Sequence, residues 1–110
     1  MDRVKNDKYY LDKVIKDITY LLKVTKDKNI KELEDNEMLL DSVMFRFIQI
    51  SENLKRISDD LKINNTHIPW NQIIGLRNKI VHDYGKIDVS IIYEVLKKDL
   101  IILLSNFEKI

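Results

Sequence analysis

At 110 residues the chain has the size of one domain, and at 45% hydrophobic and 34% charged it is too apolar for a disordered polymer. Lys plus Arg (19) and Asp plus Glu (18) leave a net charge of +1, which excludes a strong overall basic field, so any contact with nucleic acid must be local. There is no Cys, which excludes disulfides, thiolate chemistry and Cys-ligated zinc.

Only two Gly and one Pro interrupt the sequence, which favours long helices over a many-turned β fold. The first apolar stripe is Leu11, Val14, Ile15, Ile18, Leu21, Leu22 and Thr25, spaced for one helix face. The polar run Lys26-Asp27-Lys28-Asn29 is expected to end that helix. A second helix is predicted from about Asn36 to about Leu61, with Leu39, Val43, Phe47, Ile50, Leu54, Ile57 and Leu61 on its stripe. Met38, Met44, Phe45 and Ile48 widen its apolar surface, which fits either a dimer face or a broad core stripe.

Asn64-Asn65-Thr66 reads as a loop, after which Pro69 starts a third helix, because Pro suits the first turn. That helix carries Trp70, Ile73, Ile74, Arg77, Ile80 and Val81 and is expected to fade near Tyr84-Gly85, with Gly85 as a left-handed cap. Asp88 can N-cap a fourth helix running through Phe107, very apolar toward its end and expected to be largely buried. Four helical stretches joined by short loops predict an all-α, antiparallel bundle in a single domain spanning residues 1–110. The start of the chain leads into no long apolar run, so the expectation is a cytoplasmic protein without signal peptide or membrane span.

Chemistry concentrates in Arg77-Asn78-Lys79-Ile80-Val81-His82-Asp83-Tyr84. On a helix Asn78 and His82 (i, i+4) share a face, as do Arg77 and Tyr84 (i, i+7), whereas Arg77 and His82 are five apart and off register. Two readings bring that pair together: the helix loosens near His82, or a second chain supplies the partner group across a two-fold axis. A His moves protons near neutral pH, an Arg fits a phosphate with two parallel hydrogen bonds, and RNA brings its own 2′-OH nucleophile. Such a set suffices for cleavage without metal. Spacing alone leaves a bland reading in place, an exposed polar face with Arg77 paired to a carboxylate such as Asp83.

At these residues the chain resembles the HepT-like proteins of the HEPN family. Their Arg-x4-His-x-Tyr pattern reads here as Arg77, four residues, His82, Asp83 and Tyr84, with Asn78 directly after the Arg. The family's Ile-Pro-Trp appears as Ile68-Pro69-Trp70, its apolar-Gly-apolar lead as Ile73-Ile74-Gly75-Leu76, and its Glu late in the second helix as Glu52. Where many relatives have Gly-Glu-Ala, this chain has Ser51-Glu52-Asn53, a departure that bears on local helix packing.

The resemblance implies an antiparallel four- to five-helix bundle of the HEPN type that forms a homodimer with two motifs along a shared cleft. It implies a metal-independent endoribonuclease, the toxin of a toxin–antitoxin pair, with Arg77 and His82 as the catalytic pair and Asn78 assisting. It implies no cofactor, an RNA substrate, and a nucleotidyltransferase antitoxin of the MNT type that transfers AMP to Tyr84. Glu52, Lys79 and Asp83 are candidate supporting residues. The alternative is a non-catalytic binding module that serves as partner and substrate of the nucleotidyltransferase. His67 has no second ligand near it in sequence and reads as a loop residue, and no metal site is expected. Trp70 reads as a core residue or a staple at the helix start.

Overall fold

The computed structural model describes residues 6–81 and 85–110. Asn6 opens α1 (Asp7–Thr25), its side chain accepting the Tyr9 N–H and satisfying one of the donors a helix start leaves over. Leu11, Val14, Ile18 and Leu21 lie on one face, as their spacing predicts, and are buried. At the other end Lys97 reaches in from the last helix and donates to the carbonyls of Thr25 and Lys26 at 2.7 and 3.1 Å. Those carbonyls have no partner inside α1, so one ammonium both closes the helix and fixes it to its neighbour.

The segment after Asn29 holds a short helix that the polar run conceals. In α2 (Ile30–Glu34) Asn29 and Glu32 form a reciprocal capping box, and Leu33 is fully buried. The main core helix, α3 (Glu37–Lys55), is capped by Asn36, which accepts the Leu39 N–H. It does not run on to Leu61 as the periodicity suggests. It ends at Lys55, and Ser58 caps a separate α4 (Asp59–Asn64) by accepting the Leu61 N–H. Ser58 also donates its N–H and hydroxyl to Asp7 at 2.8 and 2.6 Å, so the starts of α1 and α4 are tied together. The apolar repeat continues across the break because Ile57 is buried and Leu61 packs on the core, although they belong to different elements.

Pro69 precedes α5 (Trp70–Ile74), whose indole N–H donates to the Asn65 carbonyl at 3.0 Å while its ring sits 5.7 Å from Phe107. Trp70 is therefore a core residue closing the helix start. The predicted third helix is two short ones, because the chain breaks at Gly75 before α6 (Leu76–Ile80). It also stops earlier than expected: Val81 is extended and forms an antiparallel bridge with Ile87. Gly85 does take a positive φ of 76°, but it lies beyond that bridge residue and does not cap α6.

Asp88 caps the last helical stretch as anticipated, accepting the Ile91 N–H at 3.2 Å. The stretch comprises α7 (Val89–Glu94), a π-helical turn (Val95–Asp99) and α8 (Leu100–Glu108). Leu100, Leu103 and Phe107 are buried, yet Ile101 and Ile102 are exposed, so its apolar end is only half covered. Among the described residues the bridge is the sole extended pairing and the protein is all-helical. The core lies where α1 packs along α3 and α8, with α5 and α6 laid against the other side of α3. Each fully buried Leu, Ile or Phe there contributes about 1.5–3 kcal/mol relative to an exposed one. Of the four residues that widen α3, Met44 is core, whereas Met38, Phe45 and Ile48 are exposed at 82%, 57% and 42%. No helix among the described residues is long and apolar enough to cross a membrane.

Candidate active site

The motif begins on α6, and the position of α6 is set by the core beneath it. Ile80 is fully buried, and the half-buried Ile73, Ile74 and Leu76 pack on the same core. One hydrogen bond fixes the break between α5 and α6: the buried Ser51 hydroxyl of α3 donates to the Ile74 carbonyl at 2.6 Å. Ser51 stands where the resembling pattern has Gly, so the departure supplies a hydroxyl that holds the next helix in place. At the break itself a Cβ on Gly75 would lie 3.3 Å from the Asn71 carbonyl, which leaves little room for a side chain.

Arg77, Asn78 and Lys79 all project from α6 into solvent. Arg77 Nη1 donates to Asn78 Oδ1 at a long 3.4 Å. Among the described residues none of the ion pairs includes Arg77 or Lys79. Arg77 and Lys79 lie in the last turn of α6, where the carbonyl end of the helix favours positive charge. The result is a compact, exposed cationic turn with an amide beside it.

His82, Asp83 and Tyr84 lie outside the described residues. The structure does fix the two ends of the segment that carries them. Val81 N–H donates to the Arg77 carbonyl at 2.9 Å, and Asp88 N–H donates to the Ile80 carbonyl at 2.9 Å. With Val81 bridged to Ile87, helical geometry stops at Ile80. The i, i+4 and i, i+7 alignments expected for Asn78–His82 and Arg77–Tyr84 fall on His82 and Tyr84, which lie outside the described residues.

Glu52 is not brought to Arg77. It is exposed on α3 and paired with Lys55 at 2.9 Å. The hydrogen bond from Lys55, and then its charge, hold the Glu52 carboxyl below the usual range. Its neighbour Asn53 is buried and donates to the Gln49 carbonyl of its own helix. His67 is exposed in the loop before Pro69. No group of three or more His, Cys, Asp or Glu among the described residues is placed to hold a metal ion. A groove of about 620 Å³ runs between α5–α6 and the last helix and is lined by Ile73, Leu76, Lys79, Asp99 and Asn106, among others. Arg77 and Asn78 do not line it, whereas Lys79 does.

The described part of the site is an exposed Arg77-Asn78-Lys79 turn at the end of a short helix in a small helical domain. Residues 14–110 match the family described as Ribonuclease HepT-like, and the chain belongs to that family. Among its relatives is a gamma-glutamylcyclotransferase and putative RNase of Methanocaldococcus jannaschii, 29% identical over 87% of this chain and 43% of the relative. The chain thus spans under half the length of that protein. A second relative from the same organism, named as a putative RNase, is 27% identical over 84% of each chain. The probable ribonuclease HepT of Thermococcus cleftensis is 26% identical over 96% of each. No solved structure matches the chain significantly.

Proposed function

We propose that the protein is the toxin of a HEPN/MNT-type toxin–antitoxin pair, acting as a metal-independent endoribonuclease. The observation that carries the reading is Arg77: exposed, free of any carboxylate among the described residues, and five positions before His82 on a helix clamped by the core. In the reaction His82 takes the proton from a ribose 2′-OH. The freed oxygen attacks the adjacent phosphorus, and the bond to the 5′-oxygen breaks. The products are a 2′,3′-cyclic phosphate and a 5′-hydroxyl, the latter receiving its proton from a protonated imidazole. Arg77 neutralises the charge that builds on the phosphorane oxygens, and Asn78 adds an uncharged donor. Lys79 attracts the backbone, and Asp83 has a supporting role in orienting the segment.

A homodimer supplies two His82 side chains, one as base and one as acid. The exposed Met38, Phe45 and Ile48 of α3 offer an apolar face for that pairing. The antitoxin, a nucleotidyltransferase, transfers AMP to the Tyr84 hydroxyl. The added phosphodiester anion lies next to the cations of the motif and opposes an RNA phosphate by charge and by volume.

The test is RNA cleavage by antitoxin-free protein in the presence of a chelator, wild type against His82→Ala, with intact mass confirming an unmodified Tyr84. Cleavage by wild type and none by the variant supports the reading. Failure of both to cut overturns it and favours a binding module that serves as the nucleotidyltransferase's substrate.

A further inference from the structure

On α1, Tyr9, Lys13, Lys16, Tyr20 and Lys23 follow one another at intervals of three and four, and all five are exposed. They line one stripe about 21 Å long on the side of the helix away from the core. Every carboxylate of α1 is already engaged elsewhere. Asp7 accepts from Ser58, Asp12 pairs with Lys8, and Asp17 accepts from Arg46 at 2.7 Å. None of the ion pairs among the described residues includes Lys13, Lys16 or Lys23. A chain of net charge +1 therefore concentrates three uncompensated cations on one helix face.

The aromatic rings of the stripe are held by cations. The Arg46 guanidinium of α3 lies 4.0 Å from the centre of the Tyr20 ring, and Lys13 Nζ lies 5.3 Å from that of Tyr9. Arg46 is itself fixed by Asp17, so Tyr20 is a preset platform, 36% exposed, flanked by lysines. Cations that follow a backbone, interleaved with flat rings on which bases stack, are what single-stranded nucleic acid requires.

We infer that this face of α1 is a binding track for single-stranded RNA, separate from the cleavage motif, with Lys13, Lys16 and Lys23 on phosphates and Tyr20 under a base. The inference rests on the ribonuclease reading only for the nature of its ligand. A track of this kind would hold the strand at a distance from the motif on α6, and so raise affinity without touching the reacting atoms.

The experiment measures fluorescence anisotropy of a labelled single strand of about 12 nucleotides with 2′-O-methyl riboses, which cannot be cut because the nucleophile is blocked. The triple variant Lys13→Gln/Lys16→Gln/Lys23→Gln should weaken binding about tenfold near physiological salt and reduce the slope of log affinity against log salt by about 2. Tyr20→Leu should weaken single-strand binding about fivefold or more, Tyr20→Phe should retain it, and a duplex of the same sequence should be insensitive to both. Absence of wild-type binding, an unchanged salt slope in the triple variant, or an unaffected Tyr20→Leu each overturns the inference. The two readings fail separately. If the strand is bound with these effects but natural RNA is not cut, the catalytic reading falls and the track stands. If the triple variant cuts RNA with unchanged KM, the track falls and the catalytic reading stands.

Discussion

Ser51→Ala isolates the contact that couples the core to the motif. The serine hydroxyl donates to the Ile74 carbonyl at 2.6 Å, at the point where α5 gives way to α6 and the Asn78 N–H bonds to Gly75 instead. Alanine keeps the helix propensity of α3 high and opens almost no cavity, so the change reads the hydrogen bond nearly alone. A net hydrogen bond is worth about 0.5–1.5 kcal/mol, rising toward about 3 when the abandoned acceptor stays dry. Ile74 is half-buried, so water reaches part of the gap, and a loss of about 1–2 kcal/mol follows. In a domain of this size that is a drop of about 4–10 °C in Tm. Thermal unfolding by circular dichroism measures it, and RNA cleavage of the same variant should fall as well, because α6 carries Arg77. A Tm within about 1 °C of wild type would refute the claim that this bond fixes the α5–α6 break.

Arg77→Ala should behave in the opposite way: cleavage falls about 100-fold or more while Tm stays within about 1 °C, since the side chain is exposed and leaves no carboxylate among the described residues unpaired. Phe47→Ala, at a core site 1% exposed, should cost about 3–5 kcal/mol, a large part of the stability of a domain this small, read by urea unfolding. Asp7 has its carboxyl held below its ordinary value of 3.8, first by the Ser58 hydroxyl and then by the Ser58 N–H. A depressed carboxyl stabilises the fold above the unfolded-state value and ceases to do so as pH falls through the folded one. Asp7→Ala should therefore lose up to about 1 kcal/mol at pH 7, with the gap to wild type closing below pH 3.8, followed by urea titrations across pH.

The parts of the fold governed by side-chain periodicity and local caps were legible in the sequence. The stripes of α1 and α3, the start of α3 near Asn36 and the cap at Asp88 lie where spacing and residue type place them. What periodicity misses are breaks that leave the apolar pattern intact. Ile57 and Leu61 continue the stripe of α3 although the helix has ended, because both still face the core from the turn and from α4. Gly75 likewise splits the third helix without disturbing the burial of Trp70 and Ile80 on either side. The capping box of α2 was a readable signal in Asn29 and Glu32 that a charged surrounding hid. Contacts between distant residues, such as Ser51 with Ile74 or Arg46 with Asp17 and Tyr20, have no local signature at all.

On the ribonuclease reading, the early end of α6 bears on how Arg77 and His82 would meet. Were the helix to continue, Arg77 and His82 would point to different sides, and a helix face would carry the geometry. Instead the helix stops at Ile80, and the flanks of the His-Asp-Tyr segment are held by two backbone hydrogen bonds and the pairing of Val81 with Ile87. On the ribonuclease reading, the four residues between Arg77 and His82 start in the last turn of α6 and end at the bridge residue Val81. Lengthening that span by one residue between Val81 and His82 would leave α6, its core anchor Ile80 and the exposed Arg77 unchanged while displacing the imidazole. Such an insertion should abolish cleavage yet keep the Tm within a few degrees, about the effect of a loop one residue longer. Retained cleavage would mean that the distance from Arg77 to His82 along the chain is not what sets the site.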